Sequence, residues 1–284
     1  MNNLENKTRT IIKKFNIKAN KRLGQNFLID QNVLDTITEE GEVCKDDLVI
    51  EIGPGLGVLT AELCKKAGRV VAIELDRRFI DILEDVLSEY NNYKIIQGDI
   101  LNIDLKGLVK EFNHQGDIKV IANLPYYITT PVIFKLLEEE LGIKSIVIMV
   151  QKEVAQRITA SPGGKEYGAL TIAVAYYGDA NIVLHVPSCS FIPKPEVDSS
   201  VIKIEIHNNP VIDVVDKKLF FKVVRASFTQ RRKTILNSIA NSGLFGENKS
   251  DIKSILDSVG IKENQRPEEL SIHDFARLVN KLNK

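Results

Sequence analysis

The chain predicts an α/β protein, a doubly wound parallel sheet followed by a small C-terminal helical domain. Three observations carry that prediction. Between residues 48 and 151 short apolar runs alternate with stretches of helical spacing, the pattern of parallel strands joined by crossover helices. The first run, "LVIEI" (48–52), stops at the glycine-rich "GPGLG" (53–57). A polar break, "HNNP" (207–210), then separates this region from segments that are helical by pattern.

Taken in order, "LVIEI" is the first strand, and "VLTAELCKKAG" follows it as a helix with Leu59, Leu63 and Ala67 on one face and Gly68 at its end. "RVVAIEL" is a second strand ending near Glu74. "RRFIDILEDVLSEY" is an amphipathic helix with Phe79, Ile80, Leu83, Val86 and Leu87 aligned. "YKIIQGD" and "IKVIAN" are the third and fourth strands. "PVIFKLLEEELG" is a helix with proline in its first turn, and "SIVIMVQ" is strand five. "ALTIAVAYYG" (169–178) fits a helix or a strand equally well. "NIVLHVP" and "SSVIKIEIH" are two further strands joined by "SCSFIPKPEVD". The boundary therefore falls at residue 207, dividing the chain into domains 1–207 and 208–284, the first opening with a basic segment over 1–25.

Composition narrows the function classes. Hydrophobic residues at 44% and charged residues at 27% are those of an ordinary soluble globular protein. No apolar run approaches the ~20 residues that span a bilayer, and the polar N-terminus lacks an apolar signal core, so a cytoplasmic protein without membrane contact is expected. Cys44, Cys64 and Cys189 are widely spaced, which excludes a disulfide framework or zinc site, and no metal is expected. The zero net charge hides a pattern. Residues 1–25 carry seven Lys/Arg against one Glu, and residues 200–284 carry fifteen against ten Asp/Glu, so the middle is acidic. Basic ends suit a polyanionic partner, although solvated faces vary in the same way.

Gly53, Gly55 and Gly57 sit at the first strand-to-helix turn, where glycine lets backbone approach a ligand closely. Val58 stands where a dinucleotide fingerprint needs its third small residue. Glu74 follows at the interval expected for an acid that grips a ribose diol. Asp99 in "GDI" (98–100) suits an adenine amino group, with the Ile100 amide reaching a ring nitrogen; helix capping is its other reading. Glu74 and Asp99 would flank one crevice at the carboxyl ends of the strands. No basic residue lies in the glycine turn, so ribose, adenine and a small zwitterion fit better than pyrophosphate. "NLPY" (123–126) ends strand four beside that crevice. The Asn123 side chain and the Leu124 carbonyl can both accept from an exocyclic amine, and Tyr126 can stack on the base that carries it. An aromatic amine is a poor nucleophile. Two acceptors on its hydrogens favour the pyramidal form whose lone pair attacks a methyl group, and no strong base is needed first. Stacking uses the Tyr126 ring and leaves its hydroxyl without a task.

"KRLGQNFL" (21–28), "EIGPGLGVLT" (51–60), "GDI", "NLPY", "QKEVAQRI" (151–158) and "FIPKPEVDSSV" (191–201) occur in this order. Together they resemble the ribosomal RNA adenine-N6,N6-dimethyltransferases, specifically those of the small subunit, over about residues 10–280. The resemblance implies a Rossmann-like methyltransferase fold, S-adenosyl-L-methionine as methyl donor, and the small ribosomal subunit and its rRNA as partner. It implies methylation of two adjacent adenosines near the rRNA 3′ end during ribosome biogenesis, by a protein expected to be monomeric. Carried over, Asn26 and Leu28 contact the methionine side of the donor. Gly53 and Gly55 lie beneath it, Glu74 and Leu75 take the ribose side, Asp99 and Ile100 the adenine, and Asn123 stands between donor and target. Tyr126 and Phe191 would hold the flipped adenine between aromatic faces. "RASFTQRRKTILNSI" (225–239) resembles the RNA-contact segment, with Arg231, Arg232 and Lys233 expected on one helix turn.

Other readings fare worse. The related large-subunit adenine methyltransferases share the chemistry but lack the match over 191–201 and 225–239. A nicotinamide dehydrogenase needs a third glycine and a hydride-transfer site. An assembly factor with a decayed site is opposed by the intact "NLPY", Glu74 and Asp99. Lys165 and Tyr167 in "SPGGKEYG" form either a mobile substrate loop or an ordinary connection. The four histidines have no ligand spacing. After "NLPY", the residues Tyr127-Ile128-Thr129-Thr130 replace a more polar sequence expected there.

Overall fold

A computed structural model describes residues 3–20, 23–230, 232–244 and 248–282. It contains two compact units, Met1–Ala155 with Ala180–Ile206, and Gln156–Asp179 with His207–Lys284. Residues 156–179, which the sequence assigns to the first domain, thus group with the C-terminal helices.

The first unit is built on nine strands: β1 (Phe27–Leu28), β2 (Leu48–Ile52), β3 (Arg69–Glu74), β4 (Tyr93–Gln97), β5 (Ile118–Asn123), β6 (Ile143–Gln151), β7 (Gly178–Val186), β8 (Phe191–Ile192) and β9 (Ser199–Ile206). Seven form one sheet in the order β4-β3-β2-β5-β6-β9-β7, while β1 and β8 pair separately. Strands β2 to β6 run parallel in this order, and β9 departs from the expected parallel sheet by running antiparallel to β6. All five residues of β2 are buried, as a strand covered on both faces must be. The helix Val58–Lys66 buries Leu59 and Leu63. In the next, Phe79, Ile82, Leu83 and Leu87 are buried, with Ile82 taking the place expected for Ile80. That segment opens as a 3₁₀ turn, Arg77–Phe79, capped by Asp76.

Strand β2 is the pivot. Its neighbours are β3 on one side and β5 on the other, so successive crossovers leave it in opposite directions. The carboxyl ends of β2 and β5 consequently lie side by side with no connection bridging them, which is where open α/β sheets hold ligands. At the opposite end Lys119 and Asp47 form a buried ion pair at 2.9 Å. The Lys119 ammonium also donates to the Glu42 carbonyl at 2.6 Å. Burial pushes the Asp47 carboxyl up, but the Cys44 amide and Lys119 outweigh it and hold it below the usual carboxylate value.

In the second unit, Ala169–Tyr177 is a helix. Its Thr171 hydroxyl accepts from the Gly168 amide at 3.1 Å, satisfying a donor at the N-terminus. Tyr176 packs at 5.5 Å and 5.1 Å from the rings of Phe220 and Phe221. Those two belong to the helix Lys217–Ser227, which is followed by helices Ile235–Asn241, Lys249–Ser258 and Ile272–Leu282. The basic run does not lie on a helix turn as expected. Arg232 and Lys233 occupy a turn between two helices, and Arg231 lies outside the described residues. Thr234 caps the second helix with its hydroxyl, while the Ser227 and Thr229 hydroxyls bond back to the Val223 and Arg225 carbonyls. Such side-chain bonds compete with continuing a helix.

The Lys119–Asp47 pair yields a stability prediction. Lys119→Met leaves a buried carboxylate without its cation and should lower unfolding free energy by about 3 kcal/mol at neutral pH. The loss should shrink in acid, where Asp47 protonates. Denaturant titrations at both pH values test this, and an equal loss in acid would show that charge is not the cause.

Candidate active site

A cavity opens at the carboxyl ends of β2 to β5, lined by residues from 23–28, 51–59, 73–75, 98–100 and 123–128. Its floor is the glycine turn. Gly53 donates to the Ile73 carbonyl at 2.9 Å, extending the β2–β3 ladder by one bond. Its φ of +69° suits glycine, and a Cβ there would stand 3.3 Å from the Pro125 ring. The glycine turn and "NLPY" are therefore packed backbone against ring. Gly57, also at positive φ (+75°), precedes the helix Val58–Lys66, and a Cβ on it would meet Leu83 at 2.9 Å.

Glu74 ends β3 and is only 6% exposed. One carboxylate oxygen accepts from the Gly55 amide at 3.1 Å and the other from the Asp76 amide at 2.8 Å. Each retains a second lone pair. Burial raises the carboxyl above its ordinary value, against the opposing pull of these amides. Asp99 caps a turn by accepting from the Leu101 amide and Asn102 side chain at 3.0 Å and 3.1 Å, yet it also lines the cavity with Ile100. The capping partners belong to a turn and not to the helix expected from the sequence. Leu75 is 44% exposed and Tyr127 is 50% exposed, and both line the cavity. Sequence reasoning missed Tyr127, which looked only like a departure from a motif. Burial raises its phenol pKa, and the charges of Asp99 and Glu74 add to that.

Residues 23–28 form the opposite wall. Asn26 donates to the Gly24 carbonyl at 3.1 Å, and Gln25 donates to Asp76 at 2.8 Å. Phe27 meets Phe79 edge to face at 5.8 Å. Leu28 pairs with Phe191 across β1 and β8. The motifs "KRLGQNFL" and "FIPKPEVDSSV" thus meet in one small sheet. Lys21 and Arg22, which open the first of them, lie outside the described residues.

Asn123 ends β5, and no hydrogen bond to another described residue holds its carboxamide. The Leu124 amide is fixed on the Met149 carbonyl at 3.1 Å. Tyr126 lines the cavity, and its hydroxyl, given no task by the sequence, lies 2.7 Å from the Ser199 hydroxyl. Phe191 is not brought into the lining. It is 3% exposed within the core and does not face the cavity as the resemblance implies. Lys165 and Tyr167 belong to the other unit, where Tyr167 packs on Phe228 at 6.1 Å.

Sequence reasoning also missed Glu51, taken only as part of an apolar strand. It is 1% exposed, lines the cavity, and its Oε2 lacks a hydrogen-bond partner. Burial pushes its carboxyl up to about 8, and the Glu74 charge acts in the same direction. The folded state thus holds this proton more tightly than the unfolded chain does. Stability is then lost as pH rises from the ordinary carboxylate value to about 8. Glu51→Gln removes the titration while keeping the shape. Its melting temperature should exceed wild type at about pH 8.5 and differ little at about pH 4.5. Parallel curves at both pH values would mean that Glu51 is not held protonated.

Comparison with known proteins converges on one family. Residues 16–284 match the family model described as ribosomal RNA adenine dimethylase. The chain is 49% identical over 278 residues to ribosomal RNA small subunit methyltransferase A of Clostridioides difficile, covering 98% of this chain and 96% of that one. It is 50% identical over 273 residues to the protein of the same name from Shouchella clausii, covering 96% and 92%. Among solved structures, a dimethyladenosine transferase from Plasmodium falciparum superposes with a TM-score of 0.75 at 28% identity, covering 90% of this chain and 97% of that one. The 23S rRNA methyltransferase ErmE, at 24% identity and TM-score 0.67 over 91% and 100%, shares the fold. The chain therefore belongs to the ribosomal RNA adenine dimethylase family.

Proposed function

We propose that this chain transfers methyl groups from S-adenosylmethionine to the N6 amino groups of two adjacent adenosines near the 3′ end of small-subunit rRNA. The product is N6,N6-dimethyladenosine, formed during maturation of the subunit. One observation carries the reading: Glu74, Asp99 and the uncommitted Asn123 carboxamide line a single cavity around the glycine turn.

The lining fits the donor. It contains Glu51, Glu74 and Asp99 and, among the described residues, no lysine, arginine or histidine, which suits a cationic nucleoside and not a polyphosphate. Glu74 offers two lone pairs to a ribose diol, and the orphaned Glu51 oxygen is an acceptor for an ammonium group. Bound there, S-adenosylmethionine supplies an electrophilic methyl on a sulfonium. Asn26 and Leu28 border the methionine side, Gly53 and Gly55 the floor, Leu75 the ribose side and Ile100 the base. The Asn123 carboxamide and Leu124 carbonyl accept from the target amine and turn its lone pair toward the methyl. Tyr126 stacks on the adenine, with Phe191 the second face once uncovered. Arg231, Arg232 and Lys233 contact rRNA phosphates, so that the first unit methylates and residues 208–284 dock. We place the protein in the cytoplasm as a monomer; no described helix is long and apolar enough to cross a membrane.

Incubating the protein with labelled donor and small subunits lacking the modification should yield dimethyladenosine on nucleoside analysis. In that assay, Asn123→Ala should cut kcat by at least about a hundredfold with donor affinity near wild type, since the amide acts on the transition state. Glu74→Ala should instead weaken donor binding at least about tenfold by calorimetry, two charge-assisted bonds being lost. Equal damage to binding and rate in both variants would unseat these assignments. Replacing Arg231, Arg232 and Lys233 together by alanine removes about three phosphate contacts, each contributing roughly 0.7–0.9 to the slope of log affinity against log salt. Subunit-binding titrations should show that slope shallower by about two to three, with donor affinity intact. A wild-type slope would mean that the three charges face only solvent.

A further inference from the structure

Tyr126 has a second attachment that the stacking role does not use. Its backbone lies in the turn Tyr126–Ile128 that follows Pro125, closed by the Ile128 amide on the Pro125 carbonyl at 3.2 Å. Its phenol oxygen, at the far end of the ring, meets the Ser199 hydroxyl at 2.7 Å. A hydrogen bond there fixes where the ring axis points, and its preference for the ring plane resists rotation about that axis. Ser199 is itself fully buried and stands opposite Gln151 in the β6–β9 ladder. It is a rigid support, 73 residues away in sequence. The residue before it works on the other aromatic. Asp198 accepts from the Ser188 amide at 2.9 Å, in the turn Ser188–Ser190 that leads directly into Phe191. The Ser190 carbonyl and hydroxyl in turn hold Ile29 and Asp30, both at 2.9 Å.

We propose that Ser199 is a positioning residue for methyl transfer: its hydroxyl sets the Tyr126 ring at the angle the target base stacks on. This rests on the assignment of Tyr126 to the base. Tyr126 is only partly buried and lines the cavity, so without the bond its ring would turn between rotamers. The target base would then spend less time with its amine at Asn123. Ser199 touches neither base nor donor and acts through Tyr126 alone. The start of β9 thereby serves as a common mount, directly for Tyr126 and, through Asp198 and the turn 188–190, for the strand bearing Phe191.

The test is a double-mutant cycle on the full chain, with small subunits lacking the modification as substrate. Ser199→Ala and Tyr126→Phe remove the same bond from opposite ends. Each should lower kcat by about tenfold, the upper range of one neutral hydrogen bond. Donor affinity should stay at the wild-type value, and the double variant should be no slower than either single one. Ser199→Thr, which keeps the hydroxyl, should recover most of the rate. Multiplication of the two effects to about a hundredfold would overturn the proposal, because the residues would then act separately. So would a wild-type kcat in Ser199→Ala. If Ser199→Ala does not fold, Tyr126→Phe decides alone, and full activity in it refutes the role of the bond. Failure of the underlying reading looks different: the wild-type protein itself would transfer no methyl group.

Discussion

The close approach of Gly53 to Pro125 is the constraint on which the site depends. A Cβ on Gly53 would sit 3.3 Å from the proline ring on a backbone at φ +69°, so a side chain there would be strained and would push the β2 turn and the β5 terminus apart. The sheet order makes this approach possible, because β2 is flanked by β3 and β5 and the crossovers part at that point. In the proposed reaction, a donor on the glycine turn and an amine at Asn123 would be held on adjacent strand ends. The distance between them is set by two backbones and a ring, the stiffest parts available. Effective concentration of this kind contributes more to a bimolecular transfer than any single polar group.

Electrostatics follow from the same packing. Two carboxyls, Glu51 and Glu74, are buried in one lining, and burying like charges together is unfavourable. The protein manages them differently. Glu74 is held by the Gly55 and Asp76 amides, and through the first of these it braces the glycine turn. Glu51 has no such support and keeps its proton. A pocket in this state prefers a positively charged ligand, and its preference falls once the charge is gone. Methyl transfer converts a sulfonium into a neutral thioether, so under the proposed reading this arrangement would favour exchange of product for fresh donor.

Much of this was legible in the sequence because it is local. The glycine turn, Glu74 at a fixed interval, Asp99 and "NLPY" each combine a strand end with a residue type, and strand ends can be read from apolar runs. What escaped notice is non-local or masked by context. Glu51 lies inside an apolar pentapeptide, where an acid reads as a surface position. The Tyr126–Ser199 bond joins residues too distant for any pattern to pair them. The run 169–177 could not be assigned because a uniformly apolar stretch has no period, and only packing of Tyr176 on Phe220 and Phe221 decides it. Helical spacing and the resemblance place the basic run on one helix turn. In the structure Arg232 and Lys233 lie in a turn between two helices, after Ser227 and Thr229 bond back to the Val223 and Arg225 carbonyls and before Thr234 caps the next helix.

The lining also constrains the chemistry by what it offers for proton transfer. Its ionisable groups are three acids and the phenols of Tyr126 and Tyr127. Burial raises both phenols, with the Ser199 bond opposing it at Tyr126, so both stay protonated near neutrality and neither is a base. Glu51 keeps its own proton, and Glu74 is committed to backbone amides. None of these groups is arranged to take a proton from the amine before attack, and none needs to be. An amine attacking a sulfonium passes through a transition state in which its nitrogen becomes positive, and acceptors on its hydrogens stabilise that charge. In the proposed reaction the Asn123 carboxamide, which makes no hydrogen bond to another described residue, would be such an acceptor. A carboxylate in its place would bind the charged product more tightly and slow its departure. A neutral amide stabilises the developing charge and then releases it, and the acidic ammonium loses its proton to water.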